Sequence, residues 1–139
     1  MRILALDIGD RRIGVAVSDP TGLLARPLTI IARKDIASDV QTVCRLIGEH
    51  SAGKIIIGLP LSLDGRAGPQ AEKVQDFVEE LKPSLNIPLE MRDERFSTAA
   101  VREQRLESGT KKKKRRAPDD DAAAAVILQG YLDEQRQPR

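Results

Sequence analysis

Hydrophobic and polar positions follow two periods along this chain. Arg2–Ile8 is an almost wholly apolar run, Ile13–Ser18 alternates apolar and small residues, and Gly9 and Asp10 stand between them. That pattern predicts two β-strands joined by a tight turn, with φ > 0 in the turn, where glycine has no Cβ to clash. A third strand over Leu23–Ile31 would complete an N-terminal antiparallel meander. From Asp35 to His50 the period becomes helical, with Ile36, Val40, Val43 and Ile47 on one stripe. Lys54–Leu59 (KIIIGL) is the uninterrupted apolar run of a strand buried on both faces. Pro69–Leu81 predicts the next helix, Pro69 in its first turn and Val74, Phe77, Val78 and Leu81 inward. Ile87–Arg92 predicts a fifth strand, and Ser97 or Thr98 would cap a helix running to about Glu107. A last helix starts among Asp119, Asp120 and Asp121 and runs to about Glu134.

Three meander strands followed by helix-linked strands predict an α/β fold: a mixed five-stranded sheet with helices on both faces. No repeat or break in composition marks a second domain. Residues 1–139 therefore read as one unit, with a mobile basic loop at 108–118 and a frayed tail at 135–139.

Composition narrows the chemistry. Phe77, Phe96 and Tyr131 are the only rings, so the core is aliphatic and the row of aromatics used to stack bases is missing. A net charge of +2 imposes no general attraction to nucleic acid. Lys111, Lys112, Lys113, Lys114, Arg115 and Arg116, however, form one cationic run. Such a run is by default a solvated loop; its closeness to Asp120 makes phosphate contact the alternative. The lone Cys44 excludes an internal disulfide and, in a helical pattern, reads as a buried, inert thiol in a reducing, cytoplasmic setting. No apolar run approaches about 18 residues, so neither a leader nor a membrane span is expected. The one histidine, His50, reads as a helix C-cap, which leaves no set for zinc or for acyl transfer.

The acids carry the functional signal. Asp7 ends an apolar strand, where a carboxylate is costly unless paired or metal-bound. Gly14 leaves the second strand thin beside it. Taken alone, Asp7 reads equally as a hairpin acid bonded to turn amides. Glu94 follows the fifth strand, where an ion pair with Arg92 or Arg95 is the plainer reading, shared by Asp93. At the last helix, Ala124, Ile127, Leu128 and Tyr131 define the inward stripe. Asp120 lies roughly 30° from its centre, against about 70° for Asp121 and 130° for Asp119, so Asp120 is the inward acid. Three acids meeting on one sheet rim would repel one another. A divalent cation removes that penalty, and oxygen-only ligands point to Mg²⁺ or Mn²⁺.

Together these residues resemble the YqgF/RuvX family. The likeness rests on Asp7-Ile8-Gly9 with Arg12-Ile13-Gly14-Val15-Ala16, on Gly58-Leu59-Pro60 with Asp64-Gly65, on Asp93-Glu94-Arg95 with Ser97-Thr98, and on Asp120 followed by Ala122–Leu132. It covers nearly the whole chain in order. It implies an RNase H-like fold and a metal-dependent nuclease. Family members are described both as nucleases maturing the 5′ end of small-subunit ribosomal RNA and as candidate Holliday-junction resolvases. The resemblance implies Asp7, Glu94 and Asp120 as the catalytic, metal-binding acids. Two departures stand out: three acids open the last helix where the family has one, and the basic loop before it has no fixed family sequence.

The expected reaction is phosphodiester hydrolysis by an activated water, with two Mg²⁺ or Mn²⁺ ions bridged by Asp7 and completed by Glu94 and Asp120. Arg12 and Arg95 are candidate phosphate contacts, Gly65 would let its loop follow a nucleic-acid backbone, and Lys111–Arg116 would contact flanking phosphates. Branched DNA or a ribosomal RNA precursor is the expected partner, without a membrane. Paired cuts at a junction would call for a homodimer. Two other classes compete: a non-catalytic nucleic-acid-binding or ribosome-assembly module, and ATP-dependent phosphoryl transfer, which a DxG hairpin also serves. The latter needs two domains closing on a nucleotide, and this chain supplies one.

Overall fold

The computed structural model describes residues 1–61, 64–93 and 120–136, with side chains in the last segment from Ala122 onward. Its strands are β1 (Arg2–Ile8), β2 (Arg12–Ser18), β3 (Ala25–Ala32), β4 (Ala52–Leu59) and β5 (Leu89–Asp93). Its helices are α1 (Ile36–Glu49), α2 (Pro69–Leu81) and α3 (Asp120–Arg136), with a 3₁₀ turn at Lys82–Ser84. The sheet order is β3-β2-β1-β4-β5. β1 pairs antiparallel with β2, and β2 with β3; β1, β4 and β5 run parallel. This is the expected mixed sheet with its N-terminal meander.

Strand alternation divides the core in two. Leu4, Leu6 and Ile8 of β1, with Ile13, Val15 and Val17 of β2 and Ile55 and Ile57 of β4, pack against α1 and α2. The opposite face presents Ala5, Ala16 and Ile56 to Ala124, Ile127, Leu128, Tyr131 and Leu132 of α3. Helices therefore cover both faces. Ile55, Ile56 and Ile57 are all fully buried, as a strand sandwiched on both sides requires. Each such isoleucine contributes about 1.5–3 kcal/mol of burial.

Several boundaries move. Leu23 and Leu24 are exposed in the turn before β3, where Asp19 accepts both backbone N–H groups at 2.9 and 3.2 Å. An Asx-type turn there takes the residues that apolarity assigned to the strand. In α1 the buried stripe is Asp39, Val40, Val43 and Leu46, while Ile36 is 37% exposed. Val40 and Val43 of the predicted stripe are buried and Ile47 packs beside the core, while Asp39 turns inward to meet Arg33 in place of Ile36. Asp35 caps that helix, accepting the Ser38 N–H at 2.8 Å. α3 continues to Arg136, beyond the predicted end. The helix predicted over residues 97–107 lies outside the described residues.

Candidate nuclease site

Asp7 is the penultimate residue of β1 and is half-buried. Its neighbours Leu6 and Ile8 enter the α1/α2 core, so Asp7 follows Ala5 onto the face that α3 covers. Across the ladder it is paired with Gly14. On its other side the register Leu6↔Ile57, carried on by one residue, brings Gly58 level with it. Gly58 is buried and itself pairs with Arg92 of β5. A carboxylate on a sheet surface is thus flanked by a glycine on each adjoining strand, so neither strand places a side chain beside it at those two positions.

The turn beyond Asp7 differs from expectation in one respect. Neither Gly9 nor Asp10 has positive φ; among the described residues only Gly22, Ser51 and Gly65 do. Gly9 sits in a tight place instead. Its N–H donates to the Arg12 carbonyl at 2.8 Å, and a Cβ at Gly9 would lie 3.0 Å from that same oxygen.

Other predicted residues gather on the same rim. Arg12 is exposed at the start of β2, on Asp7's face by alternation with Gly14 and Ala16. Gly65 has φ +91° in the β4–α2 loop, where Asp64 accepts the Arg66 N–H at 3.1 Å and pairs with its Nε at 3.2 Å. Asp93 ends β5 in register with Leu59. Asp120 is the first residue of α3, one turn before the buried Ala124. Gln129 of α3 accepts the Ala25 N–H at 2.8 Å and donates to the Leu23 carbonyl at 2.9 Å, while Lys54 donates to the Tyr131 hydroxyl at 2.8 Å. These anchors lie at the edge where β1 begins, so the preceding turns of α3 run toward the edge where β1 ends. The structure thus brings Asp7, Arg12, Gly65 and the start of α3 to one rim. Glu94, Arg95, Lys111–Arg116 and the side chain of Asp120 lie outside the described residues.

Arg92 forks its guanidinium onto Glu134 of α3, both N···O distances 2.9 Å, while the alternative pairing of Glu94 with Arg92 or Arg95 lies outside the described residues. That bidentate contact holds the Glu134 carboxyl below the usual glutamate range. Arg92 Nε is buried with no hydrogen-bond partner among the described residues.

The donors near Asp7 suit a hard cation. Among the described residues no three His, Cys, Asp or Glu side chains gather closely enough to hold a metal. His50 is the C-cap of α1 at the opposite edge, lining a shallow cavity of about 250 Å³ with Met1, Arg2 and Ser51. Cys44 is half-buried rather than buried, packing beside the α1/α2 core with Sγ 3.9 Å from the Ser84 carbonyl, and burial raises its thiol pKa. His50 and Cys44, the chain's one histidine and one cysteine, both lie away from the Asp7 rim, and a carboxylate oxygen donor fits Mg²⁺ or Mn²⁺ rather than zinc.

The sequence reading missed the hold on the Asp7 turn. Arg33 Nη1 donates to the Gly9 carbonyl at 2.9 Å, and Gln70 Nε2 to the Ile8 carbonyl at 3.2 Å. Behind them, Asp39 fixes the Arg33 guanidinium. A charged residue after a strand and an acid in a helix's first turn ordinarily read as solvated surface, so no signal singled them out.

The family model described as RuvX: Holliday junction resolvase matches residues 1–134. The chain belongs to the RuvX family. Its relatives include a protein of Roseiflexus sp. (strain RS-1), 44% identical over 135 residues, covering 97% of this chain and 96% of that one. Another, from Clostridium novyi (strain NT), is 45% identical over 133 residues, covering 96% and 98%. Both bear the name "Putative pre-16S rRNA nuclease". Among solved structures, this RuvX chain resembles T. thermophilus RuvC in complex with a Holliday junction substrate, with TM-score 0.63, 12% identity and coverage of 97% and 96%. It also resembles the Fowlpox virus resolvase complexed with substrate Holliday junction DNA, with TM-score 0.58, 18% identity and coverage of 99% and 100%. At such identities the likeness is one of fold, and that fold is the RNase H-like one. No helix among the described residues is long and apolar enough to cross a membrane.

Proposed function

We propose that this chain is a divalent-metal-dependent nuclease that hydrolyses phosphodiester bonds in structured nucleic acid, with Asp7, Glu94 and Asp120 as its metal-holding acids. The observation that carries the reading is Asp7 itself, a strand-end carboxylate with Gly14 and Gly58 on either side, on the face crossed by a helix that opens with Asp120. Glu90 and Arg92 engage Lys54 and Glu134 on that same face, which supports Glu94, two positions further on, as the third acid. Bound Mg²⁺ or Mn²⁺ ions would supply an activated water and stabilise the leaving oxygen. The chain's own part is to present carboxylate oxygen donors on this rim. Arg12 and Arg95 would hold the phosphates that flank the scissile one, since a guanidinium can clamp two phosphate oxygens at once. Gly65 and the Lys111–Arg116 run would follow the backbone further out.

The precursor of 16S ribosomal RNA is the first substrate to try, because relatives near 44% identity bear that name over almost their whole length. Junction DNA is the second, favoured by the family's description. The test is cleavage by wild-type and Asp7→Asn protein with Mg²⁺, Mn²⁺ or EDTA. Substrates are a precursor 5′ leader, a four-way junction and matched linear duplex. The reading predicts metal-dependent cutting that Asp7→Asn reduces more than about a hundredfold while the fold survives. Leader cutting alone identifies an RNA-processing enzyme; paired symmetric nicks in the junction, made by a dimer, identify a resolvase. Equal cutting by wild type and mutant would refute the carboxylate mechanism. No cutting under any condition would leave a non-catalytic binding module.

A further inference from the structure

We propose that Arg33 and Asp39 act as positioning residues for Asp7, an inference that rests on Asp7 being the site acid. Asp7 stands two residues before a turn whose own backbone closure is the Gly9 N–H···O=C Arg12 bond. Further hold on this turn comes from outside it. The Arg33 N–H donates to the Arg11 carbonyl at 2.9 Å, and the Arg33 side chain returns to donate to the Gly9 carbonyl at 2.9 Å. One residue therefore grips both sides of the turn. Its guanidinium is in turn fixed by Asp39, with Nε 3.1 Å from Oδ2, and lies 5.4 Å above the centroid of the buried Phe77 ring. Asp39 is only 2% exposed and takes its second bond from the Lys34 N–H at 3.1 Å.

A buried ion pair is a poor route to stability, because desolvation offsets the attraction. It is a good route to direction: the planar guanidinium with both partners satisfied admits one orientation. The exposed Lys73–Asp10 pair, 3.1 Å apart, lacks that constraint and contributes little. The Arg33–Asp39 pair thus sets where β1 ends, and with it where the Asp7 carboxylate points. It adds no net charge to the rim, since Asp39 balances Arg33.

The test uses the full chain with Arg33→Met, Arg33→Lys and Asp39→Asn. Two readouts are taken: amide hydrogen exchange at Gly9, compared with β4, and the separate effects on kcat and KM at saturating Mg²⁺ or Mn²⁺. Arg33→Met should raise Gly9 exchange about tenfold with β4 unchanged, and lower kcat about 10- to 100-fold at constant KM. Arg33→Lys, which can keep one bond of the fork, should recover part of both losses. A folded Arg33→Met protein with wild-type kcat or wild-type Gly9 protection would overturn the proposal. Should Arg33→Met fail to fold, Asp39→Asn, which keeps the shape but frees the guanidinium, gives the same decision. If wild type itself does not cleave, the functional reading falls while Gly9 exchange still decides whether the pair holds the turn.

Discussion

Enlarging Ala124 should dislodge α3 from the sheet and with it the start of the helix that carries Asp120. Three of the eight buried hydrophobic residues described on this face, Ala5, Ala16 and Ala124, are alanines, and each is 0% exposed. They let the helix backbone approach the strands closely, and interiors packed at crystal-like density leave no void for the larger side chain. Ala124→Leu should therefore cost about 1–3 kcal/mol through overpacking. Leucine is nearly as good a helix former as alanine, differing by a few tenths of a kcal/mol at about the most, so propensity cannot supply that loss. A chain of this size has a total stability of about 7–20 kcal/mol, so the variant stays folded. Urea titration should show a lower midpoint with an unchanged slope. Cleavage should fall too, because displacement acts on the first turn. Gln135→Leu on the exposed side of α3 is the control for helix effects. An Ala124→Leu protein as stable as wild type would refute the close-approach argument, since the face would then have room to spare.

Two further outcomes are expected. The Arg92–Glu134 contact depresses the Glu134 pKa, so its stabilisation is complete above the ordinary value of 4.5 and fades as pH falls through the lower folded value. Glu134→Gln should flatten that acid limb in stability measured against pH, and an unchanged limb would mean the exposed pair contributes nothing. Replacing Lys111–Arg116 by Gln and Ser should make the slope of log K against log[salt] for duplex binding shallower by about 5, if all six cations neutralise phosphates. An unaltered slope would take the run out of the binding surface.

How much was legible in advance differs by element. The inward stripes of α2 and α3 could be read directly, since Phe77 and Leu128 have no other way to leave water. The α1 stripe could be read only in part: Val40 and Val43 are buried as predicted, but a carboxylate at position 39 looks solvent-bound until its partner is known. Likewise, Leu23 and Leu24 read as strand, and only the turn closed by Asp19 turns them outward.

By itself, then, the sequence determined the order of the described strands and helices, the aliphatic core, and Asp7 as a strand-end acid with Gly14 beside it. These follow from local periodicity and from the cost of burying charge, both of which act within a short stretch of chain. The tertiary structure alone decided that Gly58 flanks Asp7 from the other side, that Arg92 turns to Glu134, and that Gly9 serves by its size rather than its φ. It alone joined Arg33, Asp39 and Phe77 behind the Asp7 turn. Each of these is a pairing between residues distant in the chain or a close clearance between atoms. Such relations arise only when strands take their register and helices settle on the sheet.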